Sequence, residues 1–323
     1  MCCGSTAIRP DRTKVETHRR CWVPTGRRDV EFAARKANIH AGISPDGACM
    51  DVARTARPLH RKGCELRIVY ANLGYARDID GSLKHHIGRA HHHIYTPRHA
   101  QLRALNFLKD KLRELQPDLS CFLEIDKGSV TNGFFDQFPV LCEDHHRTVR
   151  IDGKYSAGKR FRRLSVSRGK SSAFLATGDL PFTARYLDDG KKRLVYDIDL
   201  PGVRVLLAHC SLLRRVRHRQ LEQLASWARE RDTPTIITGD FNMFGGPQEL
   251  APLLADGRFT YLNGQMAPTF RLGPWKASLD PCIVSGDLMG RCRIEIIDMP
   301  FSDHQMLMID VDTAMEARLR KAG

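Results

Sequence analysis

Leu119 to Ile125 is an almost unbroken apolar run, interrupted only by Ser120 and Glu124. A strand without polar/apolar alternation belongs in a sheet that is covered on both faces, so the chain must build layers on either side of it. One layer is supplied just upstream. Pro97 opens an amphipathic stretch in which Leu102, Leu105, Leu108, Leu112 and Leu115 recur at helical spacing, and Pro117 closes it. Before that helix, Leu66–Asn72 has the β-branched and aromatic content of another strand. The residues between them, to Thr96, read as a long loop rich in His and Gly.

Downstream, strands are expected at Ser171–Ala176, Ala184–Tyr186 and Arg193–Asp199. Pro201-Gly202 then turns the chain into Val203–His209, an antiparallel hairpin. A helix from about Leu212 to Arg231 leads to a strand at Thr235–Thr238, and further strands fall near 280–285, 291–297 and 305–311. Hairpins and helical crossovers both occur, which predicts α/β layers with mixed sheets in one domain of roughly 250 residues. No internal repeat is visible. The expected boundaries are a basic, largely disordered extension at 1–63, a catalytic domain at 64–312 and a short tail at 313–323.

Charge narrows the partners. The chain of 323 residues carries a net charge of +14, and residues 1–63 hold half of it, with 13 Lys/Arg against 6 Asp/Glu. Such a balance favours phosphate-rich partners. No apolar run is long enough to span a bilayer, and the polar, basic start is not a secretory signal. The ten cysteines include no Cys-x-x-Cys pair, so they read as reduced thiols in a cytoplasmic protein, most of them small buried apolar residues.

Polar residues sit where the apolar strands stop. Asn72 ends the first strand, Glu124 lies near the end of the second, and His209 ends Val203–Ala208. Asp240 and Asn242 follow Thr235–Gly239, Asp280 precedes Pro281–Val284, and Asp303 and His304 precede the last strand. Rigid strands with polar rims are how α/β enzymes build sites. The residue types suit one reaction. Hydrolysis of a phosphate ester needs oxygen ligands for a hard cation, a group to activate water, and donors for charge building on phosphorus. A carboxylate such as Glu124 inside an apolar strand is costly unless a metal or a basic partner, for instance Lys127, compensates, and a metal is the favoured partner. No Ser or Cys stands beside a base as a nucleophile, so direct attack by water is expected. Blander readings compete: Gly-Asp-x-Asn is also turn chemistry, and the histidines at 85–86 and 91–93 lack the spacing of a closed zinc site, so they read as a solvated loop that could overhang the site.

Gly239-Asp240-Phe241-Asn242, Leu279-Asp280 and Ser302-Asp303-His304 resemble the endonuclease/exonuclease/phosphatase superfamily, in order and spacing, from Asn72 to His304. That superfamily includes deoxyribonucleases, abasic-site endonucleases, sphingomyelinases and inositol polyphosphate phosphatases. The resemblance implies a four-layered α/β sandwich, with two mixed sheets packed face to face and helices outside. It implies magnesium, with manganese as a substitute, held by Glu124, Asn72 and Asp303. It makes Asp240 the water-orienting residue with Asn242 beside it, pairs Asp280 with His304 as acid/base or phosphate-stabilising cation, and directs His209 to a non-bridging phosphate oxygen. Gly74 stands where some abasic-site nucleases carry a further Asp, and the sequences after Asn242 and Asp280 lack the inositol phosphatase hallmarks.

Two basic clusters bear on the substrate. Residues 154–170 include Arg160, Arg163 and Lys170, and Arg214 and Arg215 follow His209. If they flank the site they would track a polyphosphate backbone, and nucleic acid is the favoured substrate. The alternatives are a lipid or small-molecule phosphoesterase and a catalytically inactive nucleic-acid-binding or partner-binding domain. The first is opposed by the missing membrane segment, and the second by the complete set of site residues.

Overall fold

The computed structural model describes residues 65–154 and 169–313. The extension at 1–63, most of the tail, and Arg160 and Arg163 lie outside the described residues.

Strand β1 (Glu65–Asn72) and β2 (Leu119–Asp126) lie parallel, and α2 (Arg98–Leu115) makes the crossover between them. A parallel pair requires such a connection because a hairpin cannot return the chain to the same end. The segment read as a His-rich loop also contains α1 (Leu83–Gly88), whose N-cap Ser82 accepts a hydrogen bond from the His85 amide at 3.2 Å. Next come α3 (Phe138–Leu141), β3 (Thr148–Gly153) and β4 (Lys170–Ala176), then β5 (Phe182–Tyr186), β6 (Leu194–Leu200) and β7 (Val203–His209). Helix α4 (Arg214–Arg229) crosses over to β8 (Thr235–Asp240), which is parallel to β7. The remainder is α5 (Ala251–Leu254), β9 (Phe259–Tyr261), β10 (Phe270–Leu272), β11 (Trp275–Ala277), β12 (Cys282–Ser285), β13 (Cys292–Ile297) and β14 (Met306–Asp312). The sequence reading missed β3, β9, β10 and β11.

Two six-stranded mixed sheets result, in the orders β13-β14-β1-β2-β4-β3 and β5-β6-β7-β8-β12-β9, with β10-β11 as a separate ribbon. The faces of the sheets explain the layers. Ile68 and Tyr70 of β1 point with Leu119, Cys121 and Leu123 of β2 into a core shared with Tyr196, Val205, Leu207 and Ile236 of the other sheet. The alternate residues, Val69, Ala71 and Phe122, meet Leu105, Leu108 and Leu112 of α2. On the second sheet, Leu206, Ala208 and Ile237 meet Leu221, Leu224 and Ala228 of α4. The order is helix, sheet, sheet, helix: the expected four-layered sandwich. Gln101, rather than Leu102, is fully buried on the α2 face. It is held there by bonds from its amide to Thr96 O and Asn132 O at 2.8 and 3.0 Å.

The two halves share one device. Arg67 in β1 pairs with Asp310 on the antiparallel neighbour at 2.7 and 2.8 Å and donates to Leu115 O at the end of α2. Arg204 in β7 pairs with Asp197 on its antiparallel neighbour at 2.7 and 2.6 Å and donates to Trp227 O in the last turn of α4. Each buried guanidinium thus joins the parallel pair, its neighbour strand and the carbonyl end of the crossover helix, where positive charge is favoured.

Candidate active site

Parallel strands finish at the same edge, so β1 and β2 present Asn72 and Glu124 together, and β7 and β8 present His209 beside Asp240. Two local features aim these side chains. At Gly239, φ is +140°, and a Cβ would fall 1.8 Å from the Ala208 carbonyl oxygen. Only glycine lets β8 approach β7 that closely one residue before Asp240. In β2 the pairing with β4 slips between Phe122 and Ile125, and Glu124 has φ +52°. That bulge turns Glu124 out of the strand's alternation and toward the cleft. A left-handed non-glycine residue costs on the order of 1–3 kcal/mol and is typical of functional positions.

Asp240 is the hub. Its Oδ2 accepts from Asn72 Nδ2 at 3.1 Å and lies 3.1 Å from His209 Nε2, and its Oδ1 accepts from the Asn242 amide at 3.0 Å. Burial disfavours its charge, but His209, His304 and Lys192 overcome that and hold the carboxyl below its ordinary range. His209 itself is pulled down to about 4 by burial and by Lys192, whose Nζ touches its Nε2, so its ring is neutral near pH 7. His304 is the opposite case. Burial alone would depress it, yet Asp280 at 2.8 Å from Nδ1, with Asp240 and Asp303, pushes it up to about 10. Asp280 is fixed in turn by Tyr70 Oη at 2.6 Å, while Ser302 Oγ donates to Asn72 O at 2.7 Å and ties this corner to β1. Ligand atoms of Asp240, Asp280 and His304 all lie within 4.8 Å of one another.

Those three groups are already bonded to each other or to neighbours, so the oxygens best placed for a cation are on other residues. Asp303 makes no ion pair or side-chain hydrogen bond to another described residue, and burial, then Glu124 and Asp240, push its carboxyl above the ordinary range despite His304. Glu124 Oε2 accepts no hydrogen bond from a described residue; Tyr75, Lys154 and Lys192 engage Oε1. Among the described residues, Asn72 Oδ1 accepts only the Gly74 amide, at 3.2 Å. Mutually repelling carboxylates with an amide oxygen are a hard-cation donor set, so these residues fit a divalent metal. They line a cleft of about 220 Å³ together with Asp240, Asn242 and His304.

A profile of the Endonuclease/Exonuclease/phosphatase family matches residues 94–304. The chain belongs to the endonuclease/exonuclease/phosphatase family. No curated protein matches it in sequence. Among solved structures it is similar to an endonuclease/exonuclease/phosphatase from Beutenbergia cavernae, at 16% identity and TM-score 0.53, over 77% of this chain and 71% of that one. It is similar to TDP2 from Caenorhabditis elegans at 14% and 0.54, over 78% and 75%. It is also similar to an AP endonuclease from Archaeoglobus fulgidus at 16% and 0.50, over 77% and 100%. At these identities the likeness concerns the fold. Members of the family are in general hydrolytic phosphoesterases that depend on a divalent metal.

Of the eight residues expected at the centre of the family site, Asn72, Glu124, Asp240, Asn242, Asp303 and His304 line one cleft. Asp280 lies directly behind His304, and His209 behind Asp240, where protein groups already occupy its Nε2. The basic partners of Glu124 are Lys154 at 3.4 Å and Lys192 at 3.9 Å, not Lys127, whose backbone forms an isolated β-bridge with that of Asp136. Lys170 lies against the Tyr75 ring, 4.5 Å from its centre. Arg214 and Arg215 are exposed at the start of α4, beside the cleft residue Leu212.

Other residues join the cleft, and of these the sequence points to the histidines. His86 and His93 line the cleft with their rings stacked 5.7 Å apart, so the His-rich segment does overhang the site. Phe244, Phe270 and Trp275 form an aromatic wall, with Phe270 4.9 Å from His304. Arg77, Lys192 and Tyr70 were also missed. Only Tyr70 carried a signal, as an inward-facing polar-tipped residue two before Asn72.

Proposed function

We propose that the protein is a magnesium-dependent phosphodiesterase acting on nucleic acid, with water as the direct nucleophile. The observation that carries this reading is the facing pair in one cleft: a carboxylate at Asp240 kept ionised, and an imidazolium at His304 kept protonated, within 4.8 Å. Asp240 orients the attacking water and draws off its proton. Asn72 and neutral His209 hold Asp240 in place, and the Asn242 amide fixes its other oxygen. His304 supplies positive charge, and a proton for the leaving oxygen, while Asp280 and Tyr70 hold its ring. Glu124, Asp303 and Asn72 would hold Mg2+, with Mn2+ as a substitute, which when bound neutralises charge on the phosphate oxygens.

The net charge of +14 and exposed Arg214 and Arg215, which closely follow the cleft residue Leu212, favour a polyanion over a small diester with a single charge. A lipid headgroup is the second reading, favoured by apolar side chains around the mouth. Leu212 and Phe244 line the cleft while 61% and 42% exposed, and Trp275 and Leu272 continue the surface. The test is a substrate panel of duplex and single-stranded DNA and RNA, bis-p-nitrophenyl phosphate, sphingomyelin and inositol phosphates, with Mg2+ or Mn2+ and with chelator. Metal-dependent cleavage of nucleic acid is expected. Activity confined to sphingomyelin would establish the second reading, and activity on none would remove both.

A further inference from the structure

We propose that the cleft contains a second anion subsite, framed by Arg77 and Lys170 on the ring of Tyr75, which takes a second phosphate group of the substrate next to the scissile one. This rests on the phosphodiesterase reading above and names a substrate class for it.

Three cations converge on one buried ring. Lys170 Nζ, Arg77 Cζ and Lys154 Nζ lie 4.5, 4.9 and 4.9 Å from the centre of Tyr75. Each contact is favourable, but the cations repel one another, and nearby carboxylates do not balance them. Glu124 is shared between Lys154 at 3.4 Å and Lys192 at 3.9 Å. Asp126 accepts from the Gly128 amide at 3.0 Å, the Ser129 amide at 2.8 Å and the Ser129 hydroxyl, and it attracts Lys170 only from beyond ion-pair distance. Arg77 and Lys170 have no carboxylate at ion-pair distance among the described residues, although both are half-buried. Arg77, Lys154, Lys170 and Lys192 thus share two carboxylates, Glu124 and Asp126, which leaves two cations in excess beside the ring.

Its position identifies the occupant. Arg77 lines the same cleft as Glu124 and Asp303, so an anion there belongs to the molecule being cleaved. A guanidinium fork beside an ammonium suits the oxygens of a phosphate: the fork binds two of them and the lysine adds a point charge. The scissile phosphate is accounted for by the groups around Asp240 and His304. A second phosphate is supplied either by the neighbouring linkage of a nucleic acid or by a small molecule carrying two phosphates.

Binding to the full-length protein in the presence of chelator tests this without requiring turnover. Calorimetry should show pyrophosphate binding at least about tenfold more tightly than orthophosphate, the worth of one charge-assisted contact. In the Arg77→Gln, Lys170→Gln double variant that advantage should fall to about twofold or less. Lys170→Gln alone, at a half-exposed strand start, covers the case in which the double variant does not fold, and Arg77→Lys, Lys170→Arg should keep part of the advantage because it keeps both charges. Equal affinity for the two anions in the wild type, or an advantage that survives both Gln variants, would overturn the proposal. Cleavage assays then separate the sources. If the neighbouring phosphate of an oligonucleotide is replaced by neutral methylphosphonate and the wild-type rate falls while the double variant is indifferent, the subsite reads nucleic acid. If the rate is unchanged and small bisphosphates bind in its place, it reads a small molecule. Failure to hydrolyse any phosphodiester would remove the catalytic reading while the anion comparison still decided the subsite.

Discussion

Asp280 and Asp240 are both buried carboxylates at strand ends that favour the charged form of their histidines, yet the two histidines end in opposite states because their other surroundings differ. Asp280 meets His304 with Tyr70 on its far side, so the imidazole gains a proton. Asp240 meets His209, but Lys192 stands on the same ring nitrogen and burial prevails, so that imidazole stays neutral. One prediction follows from the sign of the first shift. His304 is protonated below about 10, so kcat/KM should hold through neutral pH and fall on the alkaline side. Asp280→Asn removes the main force raising it, and the alkaline limb in a pH–rate profile should move down by about 1–3 units. An unmoved limb would mean another group sets it. Tyr70→Phe strips Asp280 of a buried donor and should cost about 1–3 kcal/mol in urea unfolding. Away from the cleft, His146 accepts the Glu143 amide at 3.0 Å on Nδ1 and is lowered to about 4 by burial and His145. The unfolded chain takes up this proton near 6.5 and the folded one only near 4. Its contribution is thus present above about 6.5 and is lost as pH falls toward 4. His146→Gln should flatten the acid decline in melting temperature across that window.

At the scale of elements, the fold rests on two matching units, each a parallel pair, a crossover helix and a buried arginine. Replacing Arg67 or Arg204 by Met removes the two-pronged partner of Asp310 or Asp197 and leaves only the more distant Arg293, or Arg185 and Arg231, and each change should cost up to about 3–5 kcal/mol in urea unfolding. A loss under about 1 kcal/mol would show that the device does not stabilise its unit. The sequence displays the apolar strands and the two long helices because burial on both faces and an amphipathic face leave direct patterns. It hides the repeat, because the matching residues are single arginines whose Asp partners lie 243 positions ahead in one unit and 7 behind in the other. The short strands β9, β10 and β11 carry too few residues for a period to show. Helix α1 reads as loop in the sequence, because its six residues bury no side chain and so show no apolar face. At the site, the strand-end residues were readable since a polar residue closing an apolar run is conspicuous. Lys192 and Arg77 were not, for nothing local distinguishes them from solvated charges, and Lys154 showed only as the first residue of the basic cluster at 154–170; it is the slip in β2 turning Glu124 that gives Lys154 and Lys192 a carboxylate to face.

For the whole molecule, the cleft is where the ends of the two units meet: one brings Asn72 and Glu124, the other His209 and Asp240, and the chain's last motif closes them with Asp303 and His304. Charge acts at this scale too. With a net charge of +14, kcat/KM on an oligonucleotide should fall steeply as salt rises from about 50 to 200 mM, as counterion release requires, while cleavage of bis-p-nitrophenyl phosphate should change little. Equal salt dependence for both would argue against an extended polyanion as substrate. The most direct test of the account is the initial rate of bis-p-nitrophenyl phosphate hydrolysis in Mg2+ by the wild type and by Asp240→Asn, each with and without chelator. The account predicts a wild-type rate abolished by chelator and restored by added metal, and a rate about 10²–10⁴-fold lower for Asp240→Asn. A chelator-resistant wild-type rate, or an Asp240→Asn rate within a few-fold of it, would contradict it.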